Sequence, residues 1–288
     1  MRRRALLGLV VLLSVAGCGG GSGGAADEET FEGAPLEQQD PGPIHVHGLG
    51  IDPADGSLFI ATHTGLYRVA EDEQKARLVG QSRQDTMGFS VAGPNRFLGS
   101  GHPDVRTDLP PHLGLIESTD AGRTWKPVTL LGEADFHVLE TAGNRVYGFD
   151  ATNSRLLVSG DRGRTWVERT APEPLLDLAP HPRRPETAVA AASVLYRTVD
   201  GGRRWVALGG EAGYLAWPRP DRLYQVVGSG RVQLSRDGGE RWSPLGSIGG
   251  EPAAFLAVSA TELYAALHDG TIMVSRNGGK AWSVRSRP

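Results

Sequence analysis

The chain has 288 residues, a net charge of −3 and a single cysteine. A near-neutral balance, with basic residues scattered among turns and strands, excludes a nucleic-acid-binding surface, and a lone cysteine excludes an internal disulfide. The 40 glycines and 19 prolines, in a chain still rich in Leu, Val and Ile, fit an all-β domain with many tight turns rather than a disordered segment.

Arg2, Arg3 and Arg4 give the chain a positive start, and Ala5 to Val15 form an apolar run too short for a comfortable transmembrane helix. Val15-Ala16-Gly17-Cys18 then resembles a bacterial lipobox. The resemblance implies that residues 1–17 are a removed signal peptide and that Cys18 is lipidated. The plainer alternative is an ordinary signal peptide with a chance cysteine. Residues 18–43 are Gly-rich, then acidic and Pro-bearing, and cannot bury a core, so they read as a flexible tether. The expectation is a monomer at the cell membrane, lipid-anchored on the extracytoplasmic side, meeting the bilayer through its anchor only.

Residues 44–288 divide into six units of about 40 residues, each with four short apolar runs separated by turn residues. The third unit shows the pattern: Phe136 to Glu140, Arg145 to Phe149, Arg155 to Val158 and Trp166 to Arg169. Four strands per repeat predict a six-bladed β-propeller. Blade one spans about 44–80, with Leu58 to Ala61 and Leu66 to Val69 as its middle strands. The others span 85–130, 134–170, 174–208, 212–246 and 252–286. Blades two to six share the phrase Ser-x-Asp-x-Gly-x-x-Trp, at Ser118, Ser159, Thr198, Ser235 and Ser275. Its third positions, Asp120, Asp161, Asp200, Asp237 and Asn277, are 41, 39, 37 and 40 residues apart. Blade one has Ala70 to Gln74 in place of the phrase, as terminal repeats are often atypical. No strand exchange between blades six and one is evident, so closure is expected to rest on packing.

This phrase is similar to the Asp-box, or BNR repeat, of sialidases and related propellers. The resemblance covers about 44–288 and implies a turn between the third and fourth strands of each blade. There the Asp accepts backbone hydrogen bonds, the Gly supplies a positive φ, and the Trp packs between blades. These Asp and Trp residues read as structural. The resemblance also implies that the second-to-third turns and the blade-to-blade connections lie on the opposite face, where propeller ligands bind around the channel.

Seven of the eight histidines are expected on that face. Blade one sends His45, His47 and His63 there; blade two sends Arg83, Asp85 and the long segment 101–112, which carries His102, Asp104, Arg106 and His112. Blade three adds Glu133, Asp135, His137 and Asp150, and blade six adds His268 and Asp269. Blades four and five offer only Asp177, Glu211 and Tyr214, and His181 belongs to the other face.

Three functions compete for this mouth. His45, His47, His63, His102 and His137 with nearby carboxylates suit a transition metal such as Zn, Cu, Ni or Fe. His45 and His47 are two apart, so alternation along a strand points both rings one way. Asp85, Asp104 and Asp135, with Asp150, are the carboxyls from which a glycosidase pair could come. A sialidase would need several convergent arginines, and only Arg83 and Arg106 are available; the Arg-Ile-Pro phrase of that family is missing. The third reading, which the sequence favours over the other two, is a non-catalytic module binding a small polar ligand, a glycan or a protein at the mouth near blades one to three, with segment 101–112 as a recognition loop. Each residue also has a plainer role, as a turn former or a solvated side chain.

Overall fold

The computed structural model describes residues 42–288, so the proposed signal peptide, Cys18 and the tether up to residue 41 lie outside the described residues. Twenty-four strands form six four-stranded antiparallel sheets, each made of consecutive strands, and no helix occurs among the described residues. The first strands of neighbouring sheets touch all the way round the ring, including that of blade six (Pro252–Ala257) against that of blade one (Val46–Ile51). The protein is therefore an all-β, six-bladed β-propeller with first strands innermost.

Burial follows from this arrangement. Each blade is covered on both faces by its neighbours, so middle strands are apolar runs instead of alternating ones. Leu58–Thr62 in blade one is buried at every position, whereas fourth strands such as Val167–Arg169 in blade three are largely exposed. The cores accordingly lie between blades. Phe59 and Leu66 of blade one pack with Phe89 and Phe97 of blade two, and Leu98 and Leu115 of blade two pack with Phe136 and Val146 of blade three. Each such side chain contributes on the order of 1.5–3 kcal/mol by leaving water.

The repeated phrase forms one turn five times. In blade two, Gly122 N and Asp120 N donate to Ser118 Oγ at 2.8 and 3.3 Å, and Thr124 N donates to Asp120 Oδ1 at 2.9 Å. Asp161 repeats this in blade three, where the Thr165 hydroxyl and amide pull its carboxyl down to about 2. Gly163 sits at φ 81°, and a Cβ there would lie 2.1 Å from Leu115 of blade two. Trp166 Nε1 donates across the same seam to Thr129 Oγ1 at 2.9 Å. Each turn therefore fastens its blade to the preceding one.

Closure of the ring corrects one expectation. No strand is exchanged, but packing is not the whole closure. The last strand (Ser283–Ser286) lies beside the segment of blade one that lacks the repeated phrase. Arg285 donates to the carbonyl oxygens of Ala70, at 2.6 Å, and Glu73; Ser286 Oγ donates to Gln74 O at 2.6 Å; Lys75 and Arg287 form a parallel bridge. The acceptors are backbone carbonyls, which carry no sequence signal. Apolar packing of Val46 and Tyr67 against Tyr264 and Ile272 completes the seam.

Candidate functional site

Blades one to three deliver their polar side chains to one rim by three local devices. In blade one, the turn between the second and third strands is braced by Thr62 Oγ1 donating to Gly65 O at 2.8 Å, which leaves His63 at its tip. In blade two, Asp85 opens the first strand (Asp85–Gly93) directly opposite His102, which closes the second (Arg96–His102). In blade three, Asp135 precedes the first strand (Phe136–Ala142) and shares a side with His137 two residues on. Its position is fixed by Asp135 N donating to Asp150 Oδ1 at 3.2 Å and Phe136 N donating to Ser100 Oγ at 2.9 Å.

These devices join residues far apart in sequence. His47 Nε2 lies 3.3 Å from His63 Nδ1 and 3.4 Å from Asp85 Oδ1, and His63 Nδ1 lies 3.2 Å from Asp85 Oδ2. His102 continues the chain of contacts, with Nδ1 3.2 Å from Asp85 Oδ2 and Nε2 3.4 Å from Asp135 Oδ2. His137 Nε2 is 2.9 Å from Asp135 Oδ2. His112 leans on His102 with ring centroids 5.8 Å apart. Burial works to raise the Asp85 carboxyl, but the His47 and His102 imidazoles beside it outweigh that effect and hold it below its ordinary value.

Two groups within this array have ligand atoms close enough to hold an ion: His47, His63 and Asp85, and His102, His112 and Asp135. A tetrahedral ion with bonds of about 2.0–2.1 Å spaces its ligands by roughly 3.3–3.4 Å, which matches the 3.3 Å between His47 Nε2 and His63 Nδ1; the two nitrogens face different oxygens of Asp85, and one ligand atom from each of the three residues lies within 4.8 Å of the others. Asp85 Oδ1, Asp135 Oδ1 and His112 Nδ1 are buried and make no hydrogen bond. Asp85 Oδ1 faces His47 Nε2 at 3.4 Å, but buried polar atoms in folded proteins are almost always paired, so the bare Asp135 Oδ1 and His112 Nδ1 are a feature in want of a partner.

Other sequence candidates stand apart from the two groups. Asp104 is held by Arg106, whose Nε donates to Oδ1 and Nη2 to Oδ2, a bidentate contact that keeps the carboxyl well below the usual range, and it accepts from Arg83 N at 2.8 Å. Arg106 also donates to Gln81 O at 2.6 Å. These contacts brace the long loop. Asp150 is fully buried and accepts from Arg155 Nε at 2.8 Å, so it supports Asp135 from behind. Arg83 reaches toward Tyr67. His45 precedes the first strand at φ 52°, and a register shift follows between Val46 and Gly48, so alternation is not what aims it. Its ring lies 5.7 Å from that of His63. His181 accepts from Arg183 N and Arg184 N in a turn between the first and second strands of blade four.

His45, His47, Met87, His137, Tyr214 and His268 line a cavity of about 410 Å³. Below it a throat of about 80 Å³ is lined by Glu140 and Asp177. Burial pushes the Asp177 carboxyl up to about 7, against hydrogen bonds from Leu215 N and Leu178 N. Burial, reinforced by Asp177, raises Glu140 well above its ordinary value. Sequence reasoning missed Glu140 and set Asp177 aside. The available signal was a carboxylate inside an innermost strand of an otherwise apolar blade.

No protein-family model and no curated protein sequence matches the chain. Solved structures match in fold. A structure described as YCF48 bound to D1 peptide aligns at 15% identity over 85% of this chain and 83% of that one, with a TM-score of 0.54. A GH74 xyloglucanase from Xanthomonas campestris aligns at 17% identity with a TM-score of 0.52, over 84% of this chain but 45% of the enzyme. An ancestral GH74 enzyme aligns at 13% identity with a TM-score of 0.53, over 82% of this chain and 37% of that one.

Proposed function

We propose that this chain is an extracytoplasmic metal-binding propeller, tethered to the cell membrane through lipidated Cys18, that holds a first-row transition metal at its channel mouth through His47, His63 and Asp85. The observation that carries this reading is the convergence of His47 Nε2 and His63 Nδ1, 3.3 Å apart, on the two carboxylate oxygens of Asp85 at 3.4 and 3.2 Å. Two imidazoles and a carboxylate suit Zn, Cu, Ni or Fe and do not suit Mg or Ca. Three protein ligands leave coordination positions for water or a ligand, and the adjoining cavity is of a size, about 300–1,000 Å³, that holds small molecules.

The five repeated turns support the Asp-box resemblance, which bears on fold and not on chemistry. Glycoside hydrolysis is less well supported. It needs one carboxyl kept protonated beside an ionised partner across a space that admits a sugar. At the rim, Asp85 is held ionised and His102 fills the gap to Asp135. The carboxyls that burial pushes up, Glu140 and Asp177, line a throat of only about 80 Å³.

Equilibrium dialysis of the purified chain against Zn(II) tests the proposal. Wild type is expected to retain zinc, and His63→Ala, at a side chain more than half exposed, to lose at least about tenfold in affinity for the ion bound there. Zinc retention unaltered by both His63→Ala and His47→Ala would refute it.

A further inference from the structure

The second group of potential ligands is not needed for the ion proposed above. It contains His102, His112 and Asp135, whose candidate ligand atoms all lie within 4.8 Å of one another. Asp135 is only 3% exposed, and its Oδ1 makes no hydrogen bond. His112 Nδ1 is likewise buried and unpartnered. A buried carboxylate oxygen beside an unpaired ring nitrogen has a desolvation cost that a cation between them would offset.

One residue of the second group also touches the first. His102 presents one ring nitrogen to each carboxylate: Nδ1 is 3.2 Å from Asp85 Oδ2, and Nε2 is 3.4 Å from Asp135 Oδ2. An imidazole that ligates through Nε2 is commonly oriented by donating its Nδ1–H to a carboxylate. Here that carboxylate is Asp85, itself a ligand of the first group. His137 Nε2, 2.9 Å from Asp135 Oδ2, can do the same for Asp135 from the cavity side.

We infer that the mouth is a two-ion centre: one transition-metal ion on His47, His63 and Asp85, and a second on His102, His112 and Asp135, with the His102 ring coupling them. This inference rests on the metal-binding reading of the first group and extends it. The coupling has a direction. An ion on His102 Nε2 acidifies the Nδ1–H and strengthens its hydrogen bond to Asp85, so loss of either ion loosens the ligands of the other. The second set is less exposed than the first, because His63 stands at a turn tip while Asp135 is buried, so the second ion is expected to exchange more slowly.

The test is a zinc titration of the purified full chain, with bound metal counted by mass spectrometry of the dialysed protein. The expected result is two equivalents for wild type, one for His112→Ala and one for Asp135→Asn, each with Zn(II) still held by the first group. His63→Ala is expected to lose the other equivalent, and His63→Ala/His112→Ala to bind none. Thermal unfolding of each metal-free variant identifies those that fail to fold, and His112→Gln serves in place of any alanine variant that does. Saturation of wild type at one equivalent, with His112→Ala unchanged, overturns the second ion and leaves the first standing. Two equivalents that survive both His112→Ala and Asp135→Asn place the second ion elsewhere and also overturn it. No bound zinc in wild type removes both readings together.

Discussion

Asp177 makes stability depend on pH in a direction opposite to that of most carboxylates. Its carboxyl titrates near 7 in the folded protein against 3.8 as a free side chain. Between those values the folded chain holds a proton that the unfolded chain has released, so unfolding becomes easier as pH rises. Stability from this group is complete below pH 4 and has been lost once pH passes 7. About three pH units at roughly 1.4 kcal/mol each gives about 4 kcal/mol as an upper bound, and the partial solvent exposure of Asp177 reduces it to about 2–4 kcal/mol. The amide introduced by Asp177→Asn cannot titrate. It keeps one of the two acceptors that Leu178 N and Leu215 N use, so the substitution has a further, pH-independent cost of about 1–3 kcal/mol. Urea unfolding of both proteins from pH 4 to 8 isolates the titration, because carboxyls that do not touch Asp177 cancel in the difference. What remains is Asp177 and its repulsion of Glu140, which act with the same sign. Wild type is expected to lose about 2–4 kcal/mol relative to Asp177→Asn across that range. A difference that stays flat to within about 0.5 kcal/mol refutes the reasoning.

Three further outcomes follow from other parts of the ring. Asp150→Ala removes a fully buried carboxylate from Arg155 and releases Asp135 N; about 3 kcal/mol of stability should be lost, with weaker zinc retention, both read on the same preparation. Arg285→Ala removes the donor that grips the carbonyls of Ala70 and Glu73. A loss of about 2 kcal/mol is expected, with amide exchange accelerated in the last strand before any other, and uniform exchange would contradict the latch. Gly163→Ala drives a methyl group into Leu115 at a backbone conformation that L-residues avoid, and its midpoint in urea should fall by the equivalent of about 2–4 kcal/mol.

How far the sequence could be read depended on the kind of contact. The five Ser-x-Asp-x-Gly-x-x-Trp turns are local, with donor and acceptor two to four residues apart, so their chemistry is written in the phrase and blade count follows from the period. The gathering of His47, His63, Asp85, His102 and Asp135 could be anticipated because ring symmetry sends every equivalent loop to the same face. The array within that face could not. Asp85 and Asp104 look alike on paper, yet one meets three histidines and the other an arginine two residues away. Glu140 and Asp177 stand out in sequence only as carboxylates in innermost strands of apolar blades, and the raised values come from burial among several blades, which that local signal does not encode. The latch from Arg285 escaped because it ends on main-chain oxygens 212 and 215 residues away.

A crystal of the chain soaked in Zn(II), with data collected on either side of the zinc absorption edge, tests the metal-binding claim most directly. The expected result is an anomalous peak at the channel mouth about 2.0–2.2 Å from His47 Nε2, His63 Nδ1 and a carboxylate oxygen of Asp85. A fully soaked crystal with no peak among those three side chains would contradict it.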